Sequence, residues 1–188
     1  MYCKDEQYRG CKNSRIVSCA MELRNGGRGS GFWASDSNSE AAKVAFGRIQ
    51  EEIKSGHPNV QIVDTIYCDQ MDDLKKEIAE QKNAAKKAEE PEITADDLSD
   101  EDVILYYMEQ HPNLKGMFGT NVTAVQLGLS ALKEAEKTDD IVLTGFDAGE
   151  AQIEALKNGE IEGLAVQNPF GIGYASVVAA ARSILQTG

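Results

Sequence analysis

The stretch that most restricts what this chain can fold into is residues 141–170, IVLTGFDAGEAQIEALKNGEIEGLAVQNPF. An apolar run (Ile141, Val142, Leu143) stops at Gly145-Phe146-Asp147, a helical spacing (Ile153, Leu156) stops at Gly159, and a second apolar run from Ile161 to Val166 stops at Gln167-Asn168-Pro169. Strand, helix and strand with short connections make a right-handed βαβ unit of a parallel sheet. Such sheets receive ligands in the crevice beyond the carboxyl ends of their strands, so Asp147 and Gln167 stand where a ligand would be met.

The same alternation runs through the rest of the chain. Residues 15–21 (RIVSCAM) suit a first strand, followed by a glycine-rich loop over 24–31. Asp36 or Ser37 can cap a helix with Ala42, Phe46, Ile49 and Ile53 at helical spacing, ending at Gly56. After the break at His57-Pro58-Asn59, residues 60–67 have the β-branched and aromatic content of a buried strand. Residues 69–88 form a charged helix that Pro91 ends, and the acidic residues 91–102 are expected as a surface insertion before a short helix over 103–110. His111-Pro112-Asn113 is a second break, then comes a strand over 114–119. Asn121 or Thr123 opens a helix with Val125, Gly128, Leu129 and Leu132 on one face, and a last helix occupies 171–186.

This βα unit, repeated about five times, predicts an α/β fold: an open, doubly wound parallel sheet of about five strands with helices on both faces. A chain of 188 residues suits one domain, here residues 15–188 with a charged insertion near 82–102, behind a polar tail over 1–14.

Charge narrows the partners. A formal net charge of -12 repels phosphate backbones and anionic lipid, and no basic patch offsets it, because Lys82, Lys86 and Lys87 are interleaved with Glu80, Glu89 and Glu90. Nucleic acid and membrane surfaces are therefore not expected partners, and no apolar run approaches the ~20 residues of a membrane span. The N-terminal residues MYCKDEQYRGCKNS lack the apolar core and cleavage site of a secretory signal.

Catalysis finds little support. Cys3, Cys11, Cys19 and Cys68 form no C-x-x-C pair, and His57 and His111 each precede a proline, so neither a metal site nor a thiol nucleophile is expected. Cys19 and Cys68 suit small buried positions beside strands, while Cys3 and Cys11 suit a reduced tail or, in an oxidising compartment, a disulfide. No G-x-S-x-G elbow occurs. Gly29-Ser30-Gly31-Phe32-Trp33-Ala34 fits G-x-G-x-x-A, but seven residues separate Met21 from Gly29, too many for a dinucleotide turn that must follow its strand tightly. No cofactor is expected.

Three successive strands end in a polar residue: Asn121, Asp147 and Gln167. On a parallel sheet these side chains rise from one edge. Asn and Gln offer donors and an acceptor, and an ionised Asp accepts on two oxygens, a set suited to adjacent hydroxyl groups that both donate and accept. A sugar or polyol is the ligand they describe, and Arg28, in the loop after the first strand, is the best placed cation to complete the set. Each residue also has a plainer reading: Asn121 as a helix cap, Asp147 as the cap of the helix near Gly149, and Gln167-Asn168-Pro169 as a turn before a helix. Phe146 and Phe170 either stack on a sugar ring or belong to the core, and Trp33, among small polar residues, is expected partly exposed.

The run HPNLKGMFGTN at 111–121, GFD at 145–147, NGEIEGLAVQNPFGIGY at 158–174 and R-G-x-G-F at 28–32 resemble the ribose-type sugar-binding proteins of bacterial ABC importers, which have the type I periplasmic binding protein fold. Effector domains of lactose-repressor-type transcription factors share that fold. The resemblance implies a second, sugar-binding lobe whose partner lobe is expected to be missing, with Arg28, Asn121, Asp147 and Gln167 as monosaccharide ligands and Phe146 flanking the ring. It also implies a periplasmic or otherwise extracytoplasmic location and contact with importer membrane subunits once the full receptor forms. In the family the last helix crosses to the other lobe, so its apolar face (Ile172, Val177, Ala181, Leu185) is expected to favour self-association. The alternatives are a small-molecule-sensing regulatory domain of the repressor kind and, with less in its favour, a nucleotide-dependent α/β enzyme.

Overall fold

The computed structural model describes residues 2–3, 30–34, 37–38, 40–56, 60–87 and 91–185. The elements run β1 (Tyr2–Cys3), β2 (Ser30–Ala34), α1 (Glu40–Gly56), β3 (Ile62–Tyr67), α2 (Met71–Ala85), α3 (Asp100–Gln110), β4 (Gly116–Gly119), α4 (Val122–Glu134), β5 (Val142–Phe146), α5 (Glu150–Asn158), β6 (Gly163–Ala165) and α6 (Pro169–Leu185). Short 3-10 turns at Cys68–Gln70 and Ala95–Asp97 precede α2 and α3.

The strands form one sheet in the order β1-β6-β5-β4-β2-β3, all neighbours parallel except β1, which pairs antiparallel with β6. The five parallel strands thus lie in the order 2-1-3-4-5 of their succession along the chain. The chain reverses its direction of travel across the sheet between β2 and β4, and ligand crevices open beyond the carboxyl ends of strands at such a reversal.

Met117 and Phe118 are consecutive in β4, point to opposite faces, and belong to two separate apolar clusters. The larger cluster packs Met117, Leu143 and Leu164 of the sheet under residues of α2, α3, α4 and α5, such as Ile78, Ile104, Leu132 and Leu156. The smaller packs Ile49 and Ile53 of α1 on Val60 and Phe118, with Phe46, Ile62, Tyr67 and Phe146 at its margin. Helices therefore cover both faces, and among the described residues most of the buried apolar side chains lie on one.

Two glycines bring α4 down onto the sheet. A β-carbon at Gly145 would lie 2.1 Å from Val125 Cγ2, and one at Gly119 would lie 2.7 Å from the Val125 side chain and backbone nitrogen. Only hydrogen at both positions admits Val125, which is fully buried, and so sets the first turn of α4 close above the strand ends.

Several expectations change. Ser30 and Gly31 belong to β2 rather than to a loop, and Trp33 lies within the strand. Phe32 and Trp33 suit a strand, and pairing with β3 on one side and β4 on the other extends it back through Ser30 and Gly31. The G-x-G-x-x-A match thus falls on a strand, where a phosphate-binding turn would need a loop opening a helix. Within the expected polar tail, Tyr2–Cys3 pairs with Leu164 and Gly163, an edge pairing that local periodicity does not signal. Helix α3 starts at Asp100, three residues before the expected Val103, because Ser99 and Asp102 form a capping box. The acidic connection ahead of it is anchored by Leu98, which is buried, and by Ile93. The strand expected over 15–21, together with Arg28, Cys11, Cys19 and the break at 57–59, lies outside the described residues.

Candidate sugar-contacting rim

In the sheet register Gly119 pairs with Gly145, and Phe146 with Ala165. Asn121 and Asp147 therefore stand at the same level beyond β4 and β5, and Gln167 one step further beyond β6. Adjacent strands are ~4.8 Å apart, so the three share one rim. Two of them touch: Gln167 Nε2 donates to Asp147 Oδ1 at 3.1 Å.

Asn121 caps α4, its Oδ1 accepting from the Ala124 backbone N–H at 2.8 Å. The capping reading is thus correct for this residue, and with the oxygen turned to the helix the side-chain NH2 is the group it keeps for other partners. Asp147 does not cap α5. Its backbone is left-handed, φ 65°, and its N–H donates to Ala165 O at 2.8 Å. Few residues besides glycine adopt that conformation, and Asp is among the tolerant ones. Asn168 caps α6, its Oδ1 accepting from Gly171 N at 2.9 Å, with Pro169 as the first helical residue, where its missing N–H costs nothing. Gln167 lies just outside that cap and is exposed.

Phe146 is partly buried against the smaller core cluster. Phe170 is 82% exposed and stacks on Tyr174 of its own helix, with ring centroids 6.5 Å apart, so it is not core. Helices α4, α5 and α6 all begin at this rim and turn their N-terminal dipole ends toward it.

Two further features escape a reading of the sequence. Gln152, 2% exposed, accepts from Gly149 N through Oε1 at 3.0 Å and donates from Nε2 to Val122 O at 3.1 Å and to Gln126 Oε1 at 3.5 Å. It caps α5 and reaches across to the first turn of α4. The three-residue spacing from Gly149 to a Gln is the signal that could have marked it. Farther along the rim, Asp69 after β3 accepts from Ser37 N at 2.9 Å and Ser37 Oγ at 2.7 Å. The Ser37 hydroxyl, followed by its backbone N–H, holds the Asp69 carboxyl below its ordinary range. Among the described residues no group of three or more His, Cys, Asp or Glu could hold a metal ion. Cys68 is partly buried, and desolvation, reinforced by Asp100 and Asp69, pushes its thiol up, away from the reactive thiolate.

The model of the periplasmic binding protein domain matches residues 34–186. The chain belongs to this family. Solved structures it is similar to include solute-binding proteins. A solute-binding protein from Agrobacterium radiobacter in complex with D-arabinose superposes with a TM-score of 0.65 at 18% identity, over 90% of this chain and 50% of that one. One from Burkholderia graminis, also with D-arabinose, gives 0.64 at 20% identity over 98% and 60%. One from Actinobacillus succinogenes with bound D-allose gives 0.67 at 12% identity over 93% and 51%. This periplasmic binding protein domain thus spans between half and three fifths of the length of those structures. Comparison with curated proteins finds no matching sequence.

Proposed function

We propose that this chain is the sugar-contacting lobe of a solute-binding protein serving a bacterial ABC importer, and that it holds a monosaccharide by hydrogen bonds and releases it unaltered. The observation that carries the reading is the Gln167–Asp147 contact on the rim that also holds Asn121. The Gln167 amide occupies a carboxylate lone pair that a sugar hydroxyl would take. Binding then exchanges one hydrogen bond for another and leaves no buried acceptor unmade. Phe146 flanks the ring, and Arg28 supplies the cationic fork. Solved relatives that hold D-arabinose and D-allose support a neutral monosaccharide as the ligand.

Importer membrane subunits would read the ligand-bound receptor outside the cytoplasm, in keeping with the family's periplasmic character. Among the described residues no helix is long and apolar enough to cross a membrane. A complete two-sided clamp with about micromolar Kd releases about 8 kcal/mol, and half of that leaves about millimolar binding. Titration of the 188-residue chain with pentoses and hexoses, followed by calorimetry and amide chemical shifts, is expected to show millimolar binding that Asp147→Ala abolishes. The absence of any sugar-dependent change up to about 50 mM, more than tenfold above that Kd, would overturn the reading.

A further inference from the structure

We infer that Gln152 is a positioning residue for the rim, a buried brace that fixes how far Asn121 stands from Asp147; the inference rests on the sugar-binding reading above. One amide group ties two connections together. Its oxygen holds Gly149 N, two residues after Asp147, and its nitrogen holds Val122 O, one residue after Asn121. A cap for α5 alone would need only the first bond.

Pairing of Gly119 with Gly145 sets the level at which the two connections leave the sheet, and beyond the strand ends Gln152 links them side chain to backbone. Gly149 begins α5 without a side chain of its own to cap it, and a β-carbon there would lie 2.7 Å from Gln152 Oε1. The glycine is therefore what lets the Gln152 amide approach. Asp147 is left-handed and hydrogen-bonded through its N–H to β6, so its connection is fixed to the sheet on that side. On the other side the 147–149 connection is held to α4 by Gln152. Gln152 is 2% exposed, so water does not substitute readily for either bond.

Two carboxamides and a carboxylate select among sugars by the spacing and direction of hydroxyl groups, and a shift well under 1 Å spoils a hydrogen bond. Gln152 thus governs affinity and epimer selectivity without touching the sugar. Gln152→Glu separates the brace from the cap: glutamate keeps the acceptor for Gly149 N, as in an ordinary capping box, and loses the donor to Val122 O. Gln152→Leu loses both.

The test compares the native chain with both variants by amide spectroscopy and by titration with D-arabinose. In the absence of sugar at about pH 8, Gln152→Glu is expected to lower the melting temperature, because an ionised carboxylate there faces the Val122 carbonyl in a dry site, while shifting the Asn121 and Gln167 side-chain amides and the backbone amides on both connections. Affinity for D-arabinose is expected to fall about tenfold, the effect of one hydrogen bond lost in a dry site. If Gln152→Glu leaves the Asn121 and Gln167 amides in place and Gln152→Leu merely lowers the melting temperature, Gln152 is a helix cap and the brace is refuted. If the native chain shows no response to D-arabinose, the receptor reading is what suffers. The ligand-free shifts still decide the brace: movement on both sides supports it, and movement at Gly149 alone refutes it.

Discussion

Helix α4 buries Ala124, Val125, Gly128, Leu129, Ala131 and Leu132, whereas α6, with Phe170, Tyr174, Val177 and Ile184 recurring at helical spacing, buries none of its residues. Both helices carry an apolar stripe, and Arg182 is the one charged residue of α6. In α4 the stripe meets the sheet through the two glycines that admit Val125, while in α6 Val177 is 70% and Ile184 80% exposed. Periodicity therefore tells which face of a helix seeks cover, and says nothing about whether that cover lies within the same stretch of chain.

The largest expected effect separates the two stripes directly. Leu132→Ala should lower the stability of the chain by about 2–5 kcal/mol, and Val177→Ala in α6 by no more than about 0.5 kcal/mol, both measured by urea unfolding at low protein concentration. A large cost at Val177 would break the comparison by showing α6 covered in solution. If that cost grows with protein concentration, with a matching rise in sedimentation rate, a second copy of the chain provides the cover, which is the self-association that the sequence suggests.

Glycines give the next contrast. Gly145→Ala drives a methyl into Val125 and should cost about 1–3 kcal/mol, a loss that Val125→Ala in the same chain partly relieves. Gly173 of α6 has nothing within 4 Å of an added β-carbon. Gly173→Ala should therefore raise stability by up to about 1 kcal/mol through helix propensity alone. Thermal unfolding of the two single variants checks both signs.

The smallest effect is in the caps. Asp102 accepts from Ser99 N and Oγ at the start of α3, and the backbone N–H of Ser99 is the main influence holding its carboxyl below the ordinary range. A depressed folded-state pKa contributes stability that is complete above the unfolded value, about 3.9, and is lost as pH falls through the folded one. Asp102→Asn should thus be less stable than the native chain at pH 7, and the difference should close as the pH drops below about 4. The α6 cap is Asn168, which does not titrate, so Asn168→Ala should cost the same at both pH values.

Much of the architecture was legible. β3, β4, β5 and β6 announce themselves as short apolar runs bounded by turn residues, and α4 by its spacing. β2 was not, because Ser30 and Gly31 continue a glycine-rich run that reads as a loop, and pairing on both sides makes them part of the strand with Phe32 and Trp33. The rim was legible as three polar residues at three strand ends, and the Gln167–Asp147 contact brings two of them together. Gln152 was not, since its role depends on α4 and α5 lying side by side, and Val122 is 30 residues away in sequence. The Ser37–Asp69 tie, across 32 residues, was hidden for the same reason.

The left-handed backbone at Asp147 has an implication for how this position can vary. The left-handed main chain sets the direction in which the side chain leaves it, so a glutamate there would carry the same charge on a longer arm and on a backbone it tolerates poorly. Charge conservation is the wrong guide to acceptable replacements at this corner; asparagine and glycine keep its shape, and each gives up a different part of its chemistry.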